Sequence, residues 1–323
     1  MAERTPQQLV NAAPPPVGPV SPAESGSWEF EEGASIAPGR FVLKRLGGPS
    51  ELYDSYLVWD ERRFAIVVAK VLRRDKVGTG SAHRGLKREA HALRRLQHPV
   101  VVRAFDVVST GPYPHVLLEH LEGFTLRSTV HRQGPLPLEQ ILPLALHVAS
   151  ALHYFATEGY VHLDVKPANI IMGVPPRLID LSVARSERDC RSIKRPIGTD
   201  AYMAPEQCLA GQGGPPIGPA ADVFGLAATL HFACTKADPF PRPAKDERYT
   251  LADRFPQIED DPMPLPPTVP KPLQQIIIQG LRRDPQDRPT ASELAMALQP
   301  LVAELPHRFI LTKSGWDVRT SKR

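Results

Sequence analysis

Apolar residues in the first half of the chain come in short runs broken by glycine, proline and charge, the spacing of strands. Phe41-Val42-Leu43, the run 52–58 and the run 64–69 predict three successive strands. Leu86, Ala90, Leu93 and Leu96 then recur along one face, which predicts a helix over 82–97. Two more strands are expected at 100–108 and 115–121. Beyond Gly123 the period lengthens, and helices are expected over 138–158, 220–235, 273–281 and 291–301. The last is entered from Pro289-Thr290, and Pro-rich connections fill 211–219 and 239–270. The pattern is therefore α+β: a β-rich first half with one helix, then a mainly helical second half.

Residues 1–38 follow neither period. Pro, Ala, Ser and Glu dominate, Pro14-Pro15-Pro16 among them, and too little apolar surface is available to offset chain entropy. A disordered or extended leader is expected there. Residues 305–323 read as a basic appendage carrying Arg308, Lys313, Arg319, Lys322, Arg323 and Trp316. At 323 residues, 42% hydrophobic and 23% charged, the chain has a globular composition and can bury the core of one large domain with two lobes or of two small domains. Its formal charge of +4 does not single out nucleic acid as a partner. No run of about 18 apolar residues predicts a membrane span, and residues 1–24 lack the basic and apolar regions of a secretory signal. Cys190, Cys208 and Cys234 lie far apart without a C-x-x-C, so they are expected to be reduced structural thiols in a cytoplasmic protein.

The chemistry concentrates in the stretch from Val161 to Asn169. It sets Asp164, Lys166 and Asn169 at D-x-K-x-x-N spacing between two apolar stretches. That trio suits phosphoryl transfer from a metal nucleotide. Asp can orient a hydroxyl and accept its proton, Lys can neutralise the moving phosphoryl group, and Asn can offer an oxygen to Mg²⁺. Lys70 ends an apolar strand, where an ammonium must reach water or find a negative partner. Glu89 lies three residues after Leu86 and four before Leu93, on the inward face of the helix, so the two are expected to pair. Asp180 follows Leu178-Ile179, eleven residues after Asn169, where an Asp after an apolar strand can also simply form a turn.

In this order, over about residues 40–304, these motifs resemble the eukaryotic-type Ser/Thr protein kinase family, in the compact form of its bacterial members. The resemblance implies a two-lobed kinase domain over 39–304, with N-lobe 39–118, hinge 119–123 and C-lobe 124–304, and ATP with Mg²⁺ in the cleft. It makes Asp164 the group that takes the substrate's hydroxyl proton and Lys166 the steadier of the γ-phosphate. Asn169 and Asp180 become the metal ligands, and Lys70, set by Glu89, the holder of the α- and β-phosphates. Gly47 and Gly48 stand for the phosphate-covering loop. Glu119 and Leu121 would meet the adenine edge, with Leu118 as gatekeeper, while Leu52, Ala69 and Ile171 would sandwich the ring. Thr199 would contact Asp164 and Lys166, Glu206 of Ala204-Pro205-Glu206 would pair with Arg288, and Asp222 would hold the backbone of the catalytic loop. His162 takes a packing and hydrogen-bonding role.

Three departures from the family pattern stand out. Leu163 replaces the arginine that grips a phosphorylated activation loop, so activation is expected not to depend on that salt bridge. Asp180-Leu181-Ser182 replaces D-F-G, with a serine where glycine's freedom would be expected. The glycine loop is short, with Pro49 and Ser50 in it. The expected activity is transfer to protein Ser/Thr hydroxyls, autophosphorylation included, with a regulatory partner protein supplying the signal. A pseudokinase scaffold is the rival reading. A small-molecule kinase is the other, and the Lys of D-x-K together with the Ala204-Pro205-Glu206 ending argues against it.

Overall fold

A computed structural model describes residues 26–47, 51–243 and 250–306. The expected leader through residue 25, Gly48 with Pro49 and Ser50, and the basic tail from 307 lie outside the described residues. The chain divides into two compact units, Met1–Arg95 with Arg103–His120, and Leu96–Val102 with Leu121–Arg323.

Among the described residues, the first unit is a six-stranded antiparallel sheet with one helix. Its strands are β1 (Ser35–Ala37), β2 (Arg40–Leu46), β3 (Tyr53–Asp60), β4 (Ala65–Leu72), β5 (Ala104–Val108) and β6 (His115–Glu119), in the order β1-β2-β3-β4-β6-β5. Helix α1 (Gly80–Arg95) follows β4 and buries Leu86, Glu89, Ala90 and Leu93 along one face. Because side chains alternate across a strand, Val67, Ala69 and Val71 of β4 share one face, where they join Val42, Tyr56, Val58 and Leu117 in a core cluster.

Trp28, Phe30 and Tyr113 pack onto that cluster, which corrects the expected leader at its C-terminal end. Residues 26–38 are built into the sheet unit. Trp28 Nε1 donates to Leu72 O at 2.8 Å, and the Trp28 N–H and Ser27 Oγ donate to the buried Asp54 carboxylate, which Arg45 neutralises at 2.6 Å. Average composition hid two large aromatics among acidic and small residues, and each aromatic brings far more burial than its neighbours.

The second unit is mainly helical. It comprises α2 (Leu126–Gln133), α3 (Leu138–Thr157), β7 (Tyr160–Val161), β8 (Ile170–Ile171), β9 (Arg177–Leu178), β10 (Arg185–Ser186), α4 (Glu187–Cys190), α5 (Pro205–Cys208), α6 (Ala220–Thr235), α7 (Leu251–Arg254), α8 (Lys271–Gly280) and α9 (Ala291–Ala303). Every residue from Ala221 to Cys234 is buried, so α6 is a core helix with α3 and α8 against it and α9 on α3. A Cβ at Gly280 would stand 2.6 Å from the Ala227 Cβ, so only glycine lets α8 come this close to α6. No helix among the described residues is long and apolar enough to cross a membrane.

The expected strand at 100–108 loses its first half. Residues 96–102 belong to the second unit, where Leu178 N–H donates to Val100 O at 2.6 Å and Val102 N–H to Leu178 O at 3.0 Å. The valine run is extended, as β-branched residues favour, but its backbone partner is β9. Helix α2, missing from the sequence reading, is short and starts at Thr125, whose hydroxyl caps the Ser128 N–H at 3.1 Å.

Candidate active site

Asp164, Lys166 and Asn169 lie between β7 and β8, on a segment whose short strands pair with β10 and β9. Pro167 fixes the single 3-10 turn over Pro167–Asn169 and directs Asn169 inward. The Asn169 amide donates to Asp164 O at 2.9 Å and to Asp164 Oδ2 at 3.1 Å. Lys166 Nζ donates to Asp164 Oδ2 at 2.7 Å and to Thr199 Oγ1 at 2.6 Å, while Thr199 Oγ1 donates to Asp164 Oδ1 at 2.7 Å. The trio and Thr199 therefore form one hydrogen-bonded group.

The backbone beneath this group is strained and held. Leu163 adopts φ 68°, a left-handed conformation that costs a branched residue energy. The Asp222 carboxylate offsets that cost by accepting from the N–H groups of His162 and Leu163, each at 2.7 Å. Burial raises the Asp222 carboxyl to about 7, against the pull of those two donors. His162 is fully buried, stacks on Phe155, and accepts the Asp164 N–H on Nδ1 at 3.2 Å. Its lone pair is spent on the loop backbone, and burial holds the ring's pKa below its ordinary value.

Asp180 is brought beside this segment by the Ile179 N–H, which donates to Asn169 O at 2.8 Å. The left-handed residue of the D-L-S stretch is Asp180 itself, at φ 68°, while Ser182 keeps a negative φ. The glycine freedom that serine lacks is thus unused in this conformation. Leu181 is buried, and the Ser182 N–H donates to Asp180 Oδ1 at 3.2 Å. Asn169 spends its NH₂ on Asp164, so its amide oxygen is the atom that could meet a cation. One amide oxygen and one carboxylate fit Mg²⁺, which binds through few protein ligands when nucleotide phosphates supply the rest. No cluster of three His, Cys, Asp or Glu suited to a metal occurs among the described residues.

In the first unit, Lys70 Nζ meets Glu89 Oε1 at 2.7 Å and lies 4.6 Å over the Tyr53 ring. Glu89 is buried on α1 between Leu86 and Leu93, so each charge lowers the other's desolvation cost. Gly47 has φ 66°, at the end of β2. Leu52 is half-buried just before β3. The Glu119 N–H donates to Arg103 O at 3.0 Å.

Ala69 is a correction. It lies on the β4 face opposite Lys70, inside the core cluster, and is fully buried there. Val68, two residues before Lys70, shares the lysine's face by strand alternation. The period-2 pattern already contained that signal. In the second unit, Ile171 is half-buried on β8 and Leu121 is half-buried just past the unit boundary.

A family model described as "Protein kinase domain" matches residues 47–298. The chain is 31% identical over 270 residues to the serine/threonine-protein kinase PknB of Mycobacterium leprae, an alignment covering 79% of this chain and 42% of that protein. It is 29% identical over 271 residues to PknB of Mycobacterium tuberculosis, covering 79% and 42%. To the serine/threonine-protein kinase PkaA of Streptomyces coelicolor it is 32% identical over 246 residues, covering 74% and 43%. The chain thus spans less than half the length of these relatives.

Proposed function

The chain belongs to the protein kinase domain family, and from that premise we propose that it is a serine/threonine protein kinase that moves the γ-phosphoryl group of Mg-ATP to protein hydroxyls, its own included. The observation that carries the reading is the Asp164 carboxylate, held at once by Lys166, Asn169 and Thr199. An ionised carboxylate offers about four lone-pair sites. Three are taken, and the fourth serves a substrate hydroxyl. Asp164 accepts that hydroxyl's proton as its oxygen bonds to the γ-phosphorus, while the bond from that phosphorus to the β–γ bridging oxygen breaks and ADP leaves. Lys166 spends two of its three N–H donors on Asp164 and Thr199 and turns the third to the γ-phosphate. Asn169 and Asp180 would hold Mg²⁺, which neutralises phosphate charge when bound.

Lys70, oriented by Glu89, would hold the α- and β-phosphates, Gly47 would lie near them, and Leu52, Val68 and Ile171 would meet the adenine. The backbone groups of Glu119 and Leu121 would meet the adenine edge. Lys70→Met is expected to lower kcat/KM for ATP by about 10²-fold, the scale of losing one preorganised donor to a charged group. Lys70→Met/Glu89→Gln should recover thermal stability without recovering transfer. Recovery of transfer in the double variant would remove Lys70 from the phosphate site.

Serine/threonine specificity is supported by Lys166 in the loop and by the names of the relatives. The reading includes a cytoplasmic location, in keeping with three buried, free cysteines. The pseudokinase alternative loses ground because Asp180 reaches its conformation without glycine at 182. The test is incubation with γ-labelled ATP, Mg²⁺ and a basic protein substrate, followed by phosphoamino-acid analysis. Phosphoserine and phosphothreonine are expected. Label on tyrosine alone would overturn the specificity, and no label would overturn the activity.

A further inference from the structure

Leu163 is buried and has no guanidinium, so nothing at that position can grip a phosphate on the segment 180–206. That segment is nevertheless fastened to the loop carrying Asp164. We propose that Gln207 is the positioning residue: a neutral amide latch that seats the segment 180–206 on the catalytic loop without any phosphate. The proposal rests on the phosphoryl-transfer reading and adds how that site is kept ready.

The Gln207 side chain sits in a buried residue with 1% exposure. Its Nε2 donates to Leu163 O at 2.9 Å and to Ile197 O at 2.8 Å, and its Oε1 accepts the Ala204 N–H at 3.0 Å. A primary amide has two N–H donors and one carbonyl acceptor. Here every one is engaged, and the partners come from three places in the chain. Leu163 belongs to the catalytic loop, Ile197 to the segment 180–206 that follows, and Ala204 to the C-terminal end of that segment. Leu163 is therefore bonded on both sides, its N–H by Asp222 and its carbonyl by Gln207. The next residue is Asp164, so a shift of that carbonyl displaces the carboxylate directly.

Gly198 makes the approach possible. A Cβ there would stand 2.7 Å from Leu163 O and 3.3 Å from Gln207 Nε2. Its φ of 126° also strains any other residue. An amide neither titrates in the physiological range nor yields to a phosphatase, so a latch of this kind is permanently set.

The experiment compares wild type with Gln207→Met, which keeps an unbranched chain and drops all three bonds, and with Gly198→Ala, which wedges a methyl group between Leu163 O and the retained Gln207 amide. Measured where circular dichroism finds each fully folded, kcat is expected to fall about 10²-fold, the scale of misplacing a reacting group by roughly 1 Å. KM for ATP should stay unchanged. Phosphatase-treated wild type, checked by mass spectrometry, should keep its kcat. Amide hydrogen exchange over 191–204 should quicken in Gln207→Met and ignore phosphatase. That last arm reads the latch even if wild type transfers no phosphate, an outcome that would defeat the kinase reading alone. Wild-type kcat and exchange in both variants would overturn the latch, as would a phosphatase-sensitive kcat.

Discussion

Asp164→Asn is expected to lower phosphoryl transfer by about 10²- to 10⁴-fold, the range for removing a general base, with little change in melting temperature. The side chains are nearly isosteric, so packing is kept. The amide oxygen of the variant can face Lys166 and Asn169, which donate to Asp164 Oδ2 in the native chain. Its NH₂ would then face Thr199 Oγ1, a hydroxyl that can accept as well as donate. The network survives and only proton acceptance is lost. Side-by-side initial rates and thermal melts check both halves. A variant with wild-type rate would mean that Asp164 takes no proton from the substrate.

Arg288→Ala is expected to cost about 3–5 kcal/mol, the penalty for stranding a buried charge, and to lower the melting temperature by about 10 °C for a chain of this size. Arg288 and Glu206 form a bidentate pair at 2.7 and 2.8 Å with both side chains fully buried. Every N–H of the guanidinium is used, the others going to the carbonyls of Arg282, Ala220 and Arg283. The guanidinium also lies 5.1 Å over the Phe224 ring of α6. Truncation strands the Glu206 carboxylate and three carbonyls together. Arg288→Ala/Glu206→Ala should cost less than the two single changes summed, since the double variant strands no charge. Additive costs would mean that the pair is not coupled.

Much of this architecture was legible because its periods are strong. The spacing of Leu86, Glu89 and Leu93 placed a carboxylate on an inward helix face, and Lys70 could answer it. The core helix α6 was readable from its unbroken apolar run, with Asp222 at its entrance. Other features depended on contacts far apart in sequence. The extended valines at 100–102 look like any strand until their partner, Leu178, is known. Trp28 and Phe30 needed the sheet face beneath them to distinguish an ordered edge from a Pro-rich leader.

Ala69 departs from expectation for a different reason. Strand alternation was available, and applying it from Lys70 leads to Val68. Gln207 carried no legible signal at all. A glutamine beside Glu206 gives no hint that its amide reaches Leu163, 44 residues earlier. The D-L-S stretch shows the reverse case. Sequence marked Ser182 as the difficult position, whereas the left-handed backbone falls at Asp180, where the Ser182 N–H helps to hold it.

The most direct measurement of the central claim is ADP release and phosphoprotein formation followed together, from Mg-ATP, in wild type and Asp164→Asn. One ADP for each phosphoserine or phosphothreonine in wild type, and almost none of either in the variant, is the expected result. Bound nucleotide with neither product in wild type would contradict it and leave the chain a nucleotide-binding scaffold.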